Sequence, residues 1–221
     1  MRQRFAITAL AALLMAGTAS QAQTFSAGAK LGMGFPGFID ERIASQRITL
    51  NLSVTGSLNV SKTFQIMSDV GYQRKGDKFT YQVWDEVHRK YIADSTYNVK
   101  TNLDYINIPL YLKLNFGHSS RFYLQAGGYY GYLVHANFTG KRSGEMVKKA
   151  PIRDGLYLSD YGVIAGGGLE SPIRKGLGVI LDVKYQYGLK DLNKDPLITG
   201  HSGAIKNKGL ALGVGFYIDI E

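Results

Sequence analysis

Apolar residues alternate with polar residues or glycine along eight segments of this chain, with a period of two throughout. In the last segment, Leu210, Leu212, Val214, Phe216 and Ile218 share one face, and the residues between them share the other. Successive side chains of a β-strand point to opposite sides, so each segment predicts a strand with one apolar and one polar face. The predicted strands cover residues 24–35, 49–60, 63–74, 103–116, 121–134, 160–170, 177–189 and 210–219.

The predicted strands are long, and their connections alternate in length. At about 11–14 residues they exceed the usual strand of about 5–6 residues and match a tilted strand that spans a bilayer. Short connections at 61–62, 117–120 and 171–176 alternate with long ones at 36–48, 75–102, 135–159 and 190–207. This alternation is typical of bacterial outer-membrane barrels. It predicts an all-β fold, an eight-stranded antiparallel up-and-down transmembrane β-barrel with short periplasmic turns and long extracellular loops.

Aromatic residues lie at the ends of the predicted strands rather than in their middles. If the first strand runs outward, the inner rim carries Phe25, Phe64, Phe116, Phe122 and Phe216. The outer rim then carries Phe35, Tyr72, Tyr130, Tyr132, Tyr161, Tyr185 and Tyr187. Two aromatic girdles around an apolar band are typical of a barrel in lipid. A soluble sandwich and a lipocalin-type module are the alternatives, but the first places its aromatics centrally and the second needs an apolar lumen.

The N-terminus has the features of an export signal. Arg2 and Arg4 precede a small apolar run, and a small-x-small cleavage site ends at Ala22, which predicts a signal peptide over 1–22 and a barrel domain over 23–221. Without the segment, 24 basic and 17 acidic residues remain, a net charge of +7. The basic residues are dispersed and not interleaved with aromatics, so nucleic acid is not the predicted partner. The predicted partners are membrane lipids and lipopolysaccharide, because their headgroups are anionic.

The polar faces of the predicted strands carry charges of both signs. The charged members are Lys30, Asp69, Lys113, Glu170, Asp182 and Lys184, accompanied by Gln65, Gln73, Asn107, Gln125 and Gln186. The interior of an eight-stranded barrel is just wide enough for its own side chains, and a lone buried charge costs several kcal/mol. These groups are therefore expected to pair and to plug the lumen. Pro109 lies on this face and, because it lacks a backbone donor, predicts a bulge or local bend.

The sequence offers no convincing catalytic, cofactor-binding or metal-binding residues, so none is predicted. The four histidines, His88, His118, His135 and His201, lack metal-ligand spacing, and the chain has no cysteine. The weak candidates are a hydrolase pair at His201-Ser202 and a cation site at Asp85-Glu86 with Asp94. Gly166-Gly167-Gly168 lies inside a predicted strand rather than before a helix, so it is not read as a phosphate-binding loop.

Two of the long loops have distinctive compositions. The loop at 135–159 has a net charge of +3 from Lys141, Arg142, Lys148, Lys149 and Arg153 against Glu145 and Asp154. It is interpreted either as a solvated loop that touches lipopolysaccharide phosphates or as a docking surface for an acidic partner. The loop at 75–102 contains Tyr81, Trp84 and Tyr91 among charged residues, and predicts either a contact patch or a hairpin that extends the wall.

Four stretches resemble the outer-membrane β-barrel proteins of Bacteroidetes known as PorT-like. They are 28–32, 103–110, 160–170 and 184–189, of which Asp-Tyr-Ile-Asn-Ile-Pro at 104–109 is the most specific. The resemblance covers the chain after the signal segment and implies an eight-stranded barrel in the outer membrane of a Gram-negative bacterium. The name-giving member is associated with protein secretion across that membrane.

The leading functional hypothesis is a non-enzymatic barrel with a side-chain-filled lumen and no cofactor, structural or partner-binding through its extracellular loops. One alternative is an accessory component of an outer-membrane secretion or assembly system, with other envelope or secretion proteins as partners. A membrane-embedded hydrolase and a small porin are further alternatives.

Overall fold

The computed structural model describes residues 25–39, 47–61, 63–85, 90–118, 120–142, 145–199 and 202–220, so the predicted signal segment lies outside the described residues. The strands are β1 (Phe25–Phe38), β2 (Thr49–Asn59), β3 (Phe64–Lys75), β4 (Lys78–Asp85), β5 (Lys90–Phe116), β6 (Arg121–Arg142), β7 (Glu145–Pro151), β8 (Ser159–Arg174), β9 (Leu177–Gly188) and β10 (Asn207–Ile220). A 3-10 turn at Arg153–Gly155 and the short helix α1 (Pro196–Thr199) complete the described elements. Among the residues described, no helix is both long enough and apolar enough to cross a membrane.

Eight of these strands close into a ring. Every neighbouring pair is antiparallel, in the order β1, β2, β3, β5, β6, β8, β9 and β10, and β10 returns to pair with β1. At the closure, Leu31 of β1 lies opposite Leu52 of β2 on one side and Val214 of β10 on the other. Apart from the two hairpins described below, each strand pairs with its sequence neighbours. The eight-stranded up-and-down fold is therefore confirmed.

The apolar faces of the ring point outward. Leu181, Val183, Leu212 and Val214 are all exposed, at 40–51% of their full surface. The two aromatic sets lie at the opposite ends of this apolar band, as predicted; Phe25, Phe116 and Phe122 are exposed at one rim, and Tyr130, Tyr161 and Tyr185 at the other. A soluble sandwich would bury these residues, so the outward apolar face is what a bilayer surrounds.

One short turn differs from its prediction. The connection predicted at 171–176 consists of only two residues, because β8 continues through Pro172 to Arg174 with a register shift between them. Gly176 has a φ of 73°, a left-handed conformation that glycine adopts without steric cost. Pro172 is tolerated there because the register shift forms a bulge, where no backbone N–H is needed for the ladder.

Two predicted loops are instead largely strand. β5 runs for 27 residues and β6 for 22, so both continue past the outer rim, and β4 and β7 fold back against them as hairpins. Together β4, the outer ends of β5 and β6, and β7 form a four-stranded extension of the wall, which we call the extracellular sheet. The expectation of a hairpin that extends the wall at 75–102 is confirmed, whereas 135–159, predicted as a loop, is largely a second hairpin.

Of the bulge or local bend predicted at Pro109, the structure shows no bulge, because the strand register is unchanged across it. The pairing of β3 with β5 stops between Met67–Tyr111 and Gly71–Asn107 and resumes in the same register. The ladder is thus interrupted opposite Pro109, where the Ser68 hydroxyl donates to the Pro109 carbonyl at 2.6 Å. The actual irregularity lies between Asp104 and Tyr105, where β5 passes from the membrane band into the extracellular sheet.

Candidate functional site

The lumen is filled at mid-height by four charged side chains from three strands. Lys30 of β1 contacts Asp69 at 3.1 Å and Asp182 at 2.9 Å, while Lys184 contacts the same two carboxylates at 2.8 and 3.2 Å. We call these four residues the middle group. Their charges sum to zero, and each ammonium lies between two carboxylates, so neither sign is left buried without a partner.

Glycines on β10 make room for the middle group. A Cβ at Gly213 would lie 2.5 Å from the Asp182 Oδ1, and one at Gly215 would lie 2.7 Å from Lys30 Cγ. The alternation that places Leu212 and Val214 against lipid therefore places residues without side chains opposite the crowded charges. This explains why the inward face of β10 is so small.

A second pair closes the lumen nearer the periplasmic rim. Lys113 is fully buried and pairs with Glu170, which also receives Arg121 Nη2 at 3.3 Å. The Lys113 ammonium lies 4.0 Å from the centre of the Tyr123 ring, a cation–π contact that adds to the pairing. Tyr123, Ile180 and Tyr217 form a small apolar cluster at this level.

A third pair lies towards the extracellular end and was not predicted. Lys75 Nζ contacts Asp160 at 3.0 Å, and Asp160 also accepts from Tyr129 at 3.3 Å and from Asn207 at 2.9 Å. The ammonium lies 4.2 Å from the centre of the Tyr129 ring. The sequence pattern places Lys75 in a predicted loop and Asp160 at the first residue of a predicted strand. Strand alternation was the signal, because Lys75 lies two residues after Gln73 on the inward face.

All six charges predicted for the lumen are confirmed there, and their pairing is confirmed as well. With Lys75 and Asp160, four lysines face four carboxylates at three levels of the barrel. The sequence interpretation also missed how much of the remaining space tyrosine fills: Tyr105, Tyr111, Tyr123 and Tyr129 are all buried in the lumen.

Little space is left between these levels. A cavity of about 60 Å³ lies beside the middle group, lined among others by Asn51, Gln73, Asn107, Tyr111 and Lys184. The amide oxygens of Asn51, Gln73 and Asn107 have no hydrogen-bond partner within the described part of the chain. A polar cavity of this size accommodates a few ordered waters that donate to such oxygens.

An apolar cluster covers the extracellular mouth of the lumen. Leu103 and Leu133 come from the wall, and Ile152, Leu156 and Leu192 come from the connections that follow β7 and β9. These connections are tied together by backbone hydrogen bonds, including one from Tyr157 to Leu192 at 2.9 Å. We call this cluster the cap. Leu103, Leu133 and Leu192 have no exposed surface, so the cap places an apolar layer above the third ion pair.

The weak candidates for a hydrolase pair and a cation site lie largely outside the described part of the structure. His201 and Glu86 lie outside the described residues, as do the side chains of Asp85 and Asp94. Within the described residues, no group of three histidine, cysteine, aspartate or glutamate side chains is arranged to hold a metal ion. Gly166-Gly167-Gly168 lies within β8, as predicted.

Comparison with known proteins gives a family match and several similar folds. The family model described as outer membrane protein beta-barrel domain matches residues 20–194. A comparison with curated proteins found no match. A major outer membrane protein of Thermus thermophilus is 12% identical, with 90% of this chain and 100% of the other covered and a TM-score of 0.51.

Two further solved structures are similar at lower scores. Neisserial surface protein A is 10% identical, with coverage of 88% and 96% and a TM-score of 0.47. Ail, the attachment invasion locus protein of Yersinia pestis, is 12% identical, with coverage of 90% and 100% and a TM-score of 0.45. At such identities, the likeness concerns the fold alone.

Proposed function

Because this chain belongs to the outer membrane protein beta-barrel domain family, and so resides in the outer membrane of a Gram-negative bacterium, we propose that it is a closed, non-enzymatic barrel that acts through its extracellular surface. In this role the barrel anchors the extracellular sheet at a fixed height above the lipid. The role is structural or partner-binding, and it requires neither conduction nor chemistry.

The observation that carries this proposal is the occupancy of the lumen. Three levels of ion pairs, four buried tyrosines and the cap leave only small polar spaces between the two rims in the described part of the chain. Removing one partner from a buried pair costs about 3–5 kcal/mol, so opening a path for solutes is expensive. A small porin, by contrast, needs a continuous water-filled path.

The extracellular sheet favours a protein partner within this role. No described strand pairs with the outer edge of β4 or of β7. A free edge presents unpaired backbone donors and acceptors, which an extended segment of another protein can complete. This edge supports the alternative of an accessory component of a secretion or assembly system, as the PorT-like resemblance implies.

Planar-bilayer recording tests the closed barrel. The folded chain is incorporated at rising protein-to-lipid ratios, with an established porin treated identically as the positive control. We expect conductance at the level of protein-free bilayers at every ratio. Discrete steps whose frequency rises with the amount of folded protein would refute the closed lumen.

Co-purification tests the partner. The chain is extracted in mild detergent after brief crosslinking, alongside a variant in which the β6–β7 hairpin is shortened by removing 141–148. We expect an envelope protein to be retained by the native chain and lost from the variant. Equal retention of the envelope protein by both chains, or retention by neither, would rule out partner binding through the free edge of β7.

A further inference from the structure

The two faces of the extracellular sheet have different surroundings. Residues opposite each other on paired strands share a face. Val99 and Leu103 of β5 are buried on the inner face, and Phe138 of β6 packs against the cap on that same side. The alternate residues Lys100 and Asn102 therefore point outward, in continuation of the lipid-facing side of the barrel wall.

Four lysines, one from each strand of the sheet, lie on this outer face. Lys78 lies directly opposite Lys100, Lys100 lies opposite Thr139, and Thr139 lies opposite Lys149. Lys141 is two residues further along β6 and opposite Asn98. We call Lys78, Lys100, Lys141 and Lys149 the lysine face.

Nothing in the described structure neutralises the lysine face. The residues that lie opposite these lysines on the paired strands are other lysines of the face, Thr139, Asn98 and Met146, and none of them is a carboxylate. None of the four forms an ion pair among the described residues, although every lysine in the lumen does. Like charges directly opposite each other destabilise a sheet, and the Lys78–Lys100 pair has this geometry. A bound anion would remove that repulsion.

The height of the lysine face indicates which anion is available. Tyr72 and Tyr132 of the outer aromatic rim both lie opposite Ile106, and Lys100 is six residues further along β5. At about 3.3 Å per residue and a tilt of about 40°, the lysine face lies roughly 15 Å above that rim. This is the layer occupied by the anionic, sugar-bearing headgroups of outer-leaflet lipopolysaccharide.

We infer that the lysine face is a binding site for the anionic headgroup of lipopolysaccharide. Its outward direction, its continuity with the lipid-facing wall and its unpaired charge each fit a ligand that approaches from the surrounding leaflet. A soluble partner would instead reach the sheet at its tip or free edges. The inference names a lipid ligand beyond the proposed protein partner and does not depend on the lumen being closed.

The test uses the folded chain in detergent micelles and fluorescently labelled lipopolysaccharide as the probe. In the test variant, Lys78, Lys100, Lys141 and Lys149 are all changed to Gln. The control variant changes four exposed basic residues outside the lysine face to Gln, namely Lys148, Arg174, Lys175 and Lys194. Both variants therefore lose the same charge. Heat-dependent gel mobility verifies that both variants are folded.

We expect the test variant to bind lipopolysaccharide at least about tenfold more weakly than the native chain, since each lysine near an anionic lipid surface contributes severalfold. The control variant should bind within about twofold of the native chain. The native affinity should fall steeply with added salt, and the test variant should lose most of that dependence.

Two outcomes would overturn the inference. One is equal weakening in both variants, which would mean that only total charge matters. The other is selective loss of binding to a soluble sulfated polysaccharide, run in parallel, with lipopolysaccharide binding unchanged; that result would assign the lysine face to a soluble polyanion. Neither outcome bears on bilayer conductance, so failure here is distinct from failure of the closed barrel.

Discussion

Asp69 provides the sharpest test of the packed lumen, because both lysines of the middle group contact its carboxylate. Asp69→Asn leaves Lys30 and Lys184 facing Asp182 alone, a buried net charge of +1. Lys184→Gln leaves the opposite imbalance. Because each change strands a buried charge, each should lower the free energy of unfolding by about 3–5 kcal/mol.

The double variant separates pairing from simple loss of contacts. Asp69→Asn with Lys184→Gln restores neutrality and retains the 2.9 Å contact between Lys30 and Asp182. We therefore expect it to cost about 2 kcal/mol less than the sum of the single variants, within the range found for directly coupled residues. Unfolding by urea in lipid vesicles, followed by heat-dependent gel mobility, measures all four states of the cycle.

A control cycle uses Asp154→Asn and Lys175→Gln, two exposed residues on opposite rims. Their effects should add within about 0.5 kcal/mol. The reasoning is refuted if the Asp69 and Lys184 changes are equally additive, or if either single change leaves stability unaltered. In those cases water, rather than the partner side chains, would be solvating the charges.

Three further changes probe other parts of the barrel. Leu192→Ala removes a side chain with no exposed surface from the cap and should cost about 2–5 kcal/mol in urea unfolding, whereas Leu197→Ala, 94% exposed, should cost less than about 0.5 kcal/mol. Gly178→Ala places a Cβ 2.5 Å from the Tyr217 ring and should cost about 1–3 kcal/mol in the native chain, but much less when it is added to a Tyr217→Ala variant, in which the ring is absent. Leu212→Lys puts a charge in the lipid-facing band and should lower stability in vesicles by about 2–4 kcal/mol.

Each of these has a contrary result. Equal effects at Leu192 and Leu197 would mean that the cap does not close over the lumen. A Gly178→Ala variant as stable as the native chain would show that the Tyr217 ring has room to move. A harmless Leu212→Lys would place that residue in water instead of lipid.

Strand alternation explains most of what was predictable. It placed Leu181 and Val183 outward and Asp182 and Lys184 inward, because in a barrel wall each residue faces either lipid or lumen and the alternation is strict. The aromatic rims followed from the same alternation and the direction of each strand. Strand alternation did not predict which charges of the middle group pair with each other, since pairing across the lumen joins residues from strands distant in sequence.

The extracellular parts were less predictable, for two physical reasons. The outer side of the extracellular sheet lies above the hydrocarbon layer of the membrane, so Lys100 and Lys141 replace the apolar residues that mark a membrane strand. The cap is built from Ile152, Leu156 and Leu192 in connections with no periodic pattern, and its members are recognisable only once the wall brings them together. At Pro109 the ladder is interrupted without a bulge, and this interruption also avoids the need for the backbone donor that proline lacks.

The most direct test of the closed, lipid-facing barrel is the accessibility of single spin labels along β10. The chain contains no cysteine, so single cysteines at Ala211 and Leu212 can each be labelled alone. In vesicles, the label at position 212 should collide with oxygen but not with a water-soluble nickel chelate, and the label at position 211 should be shielded from both. Collision of the label at 211 with the chelate, or shielding of the label at 212 from oxygen, would contradict the account.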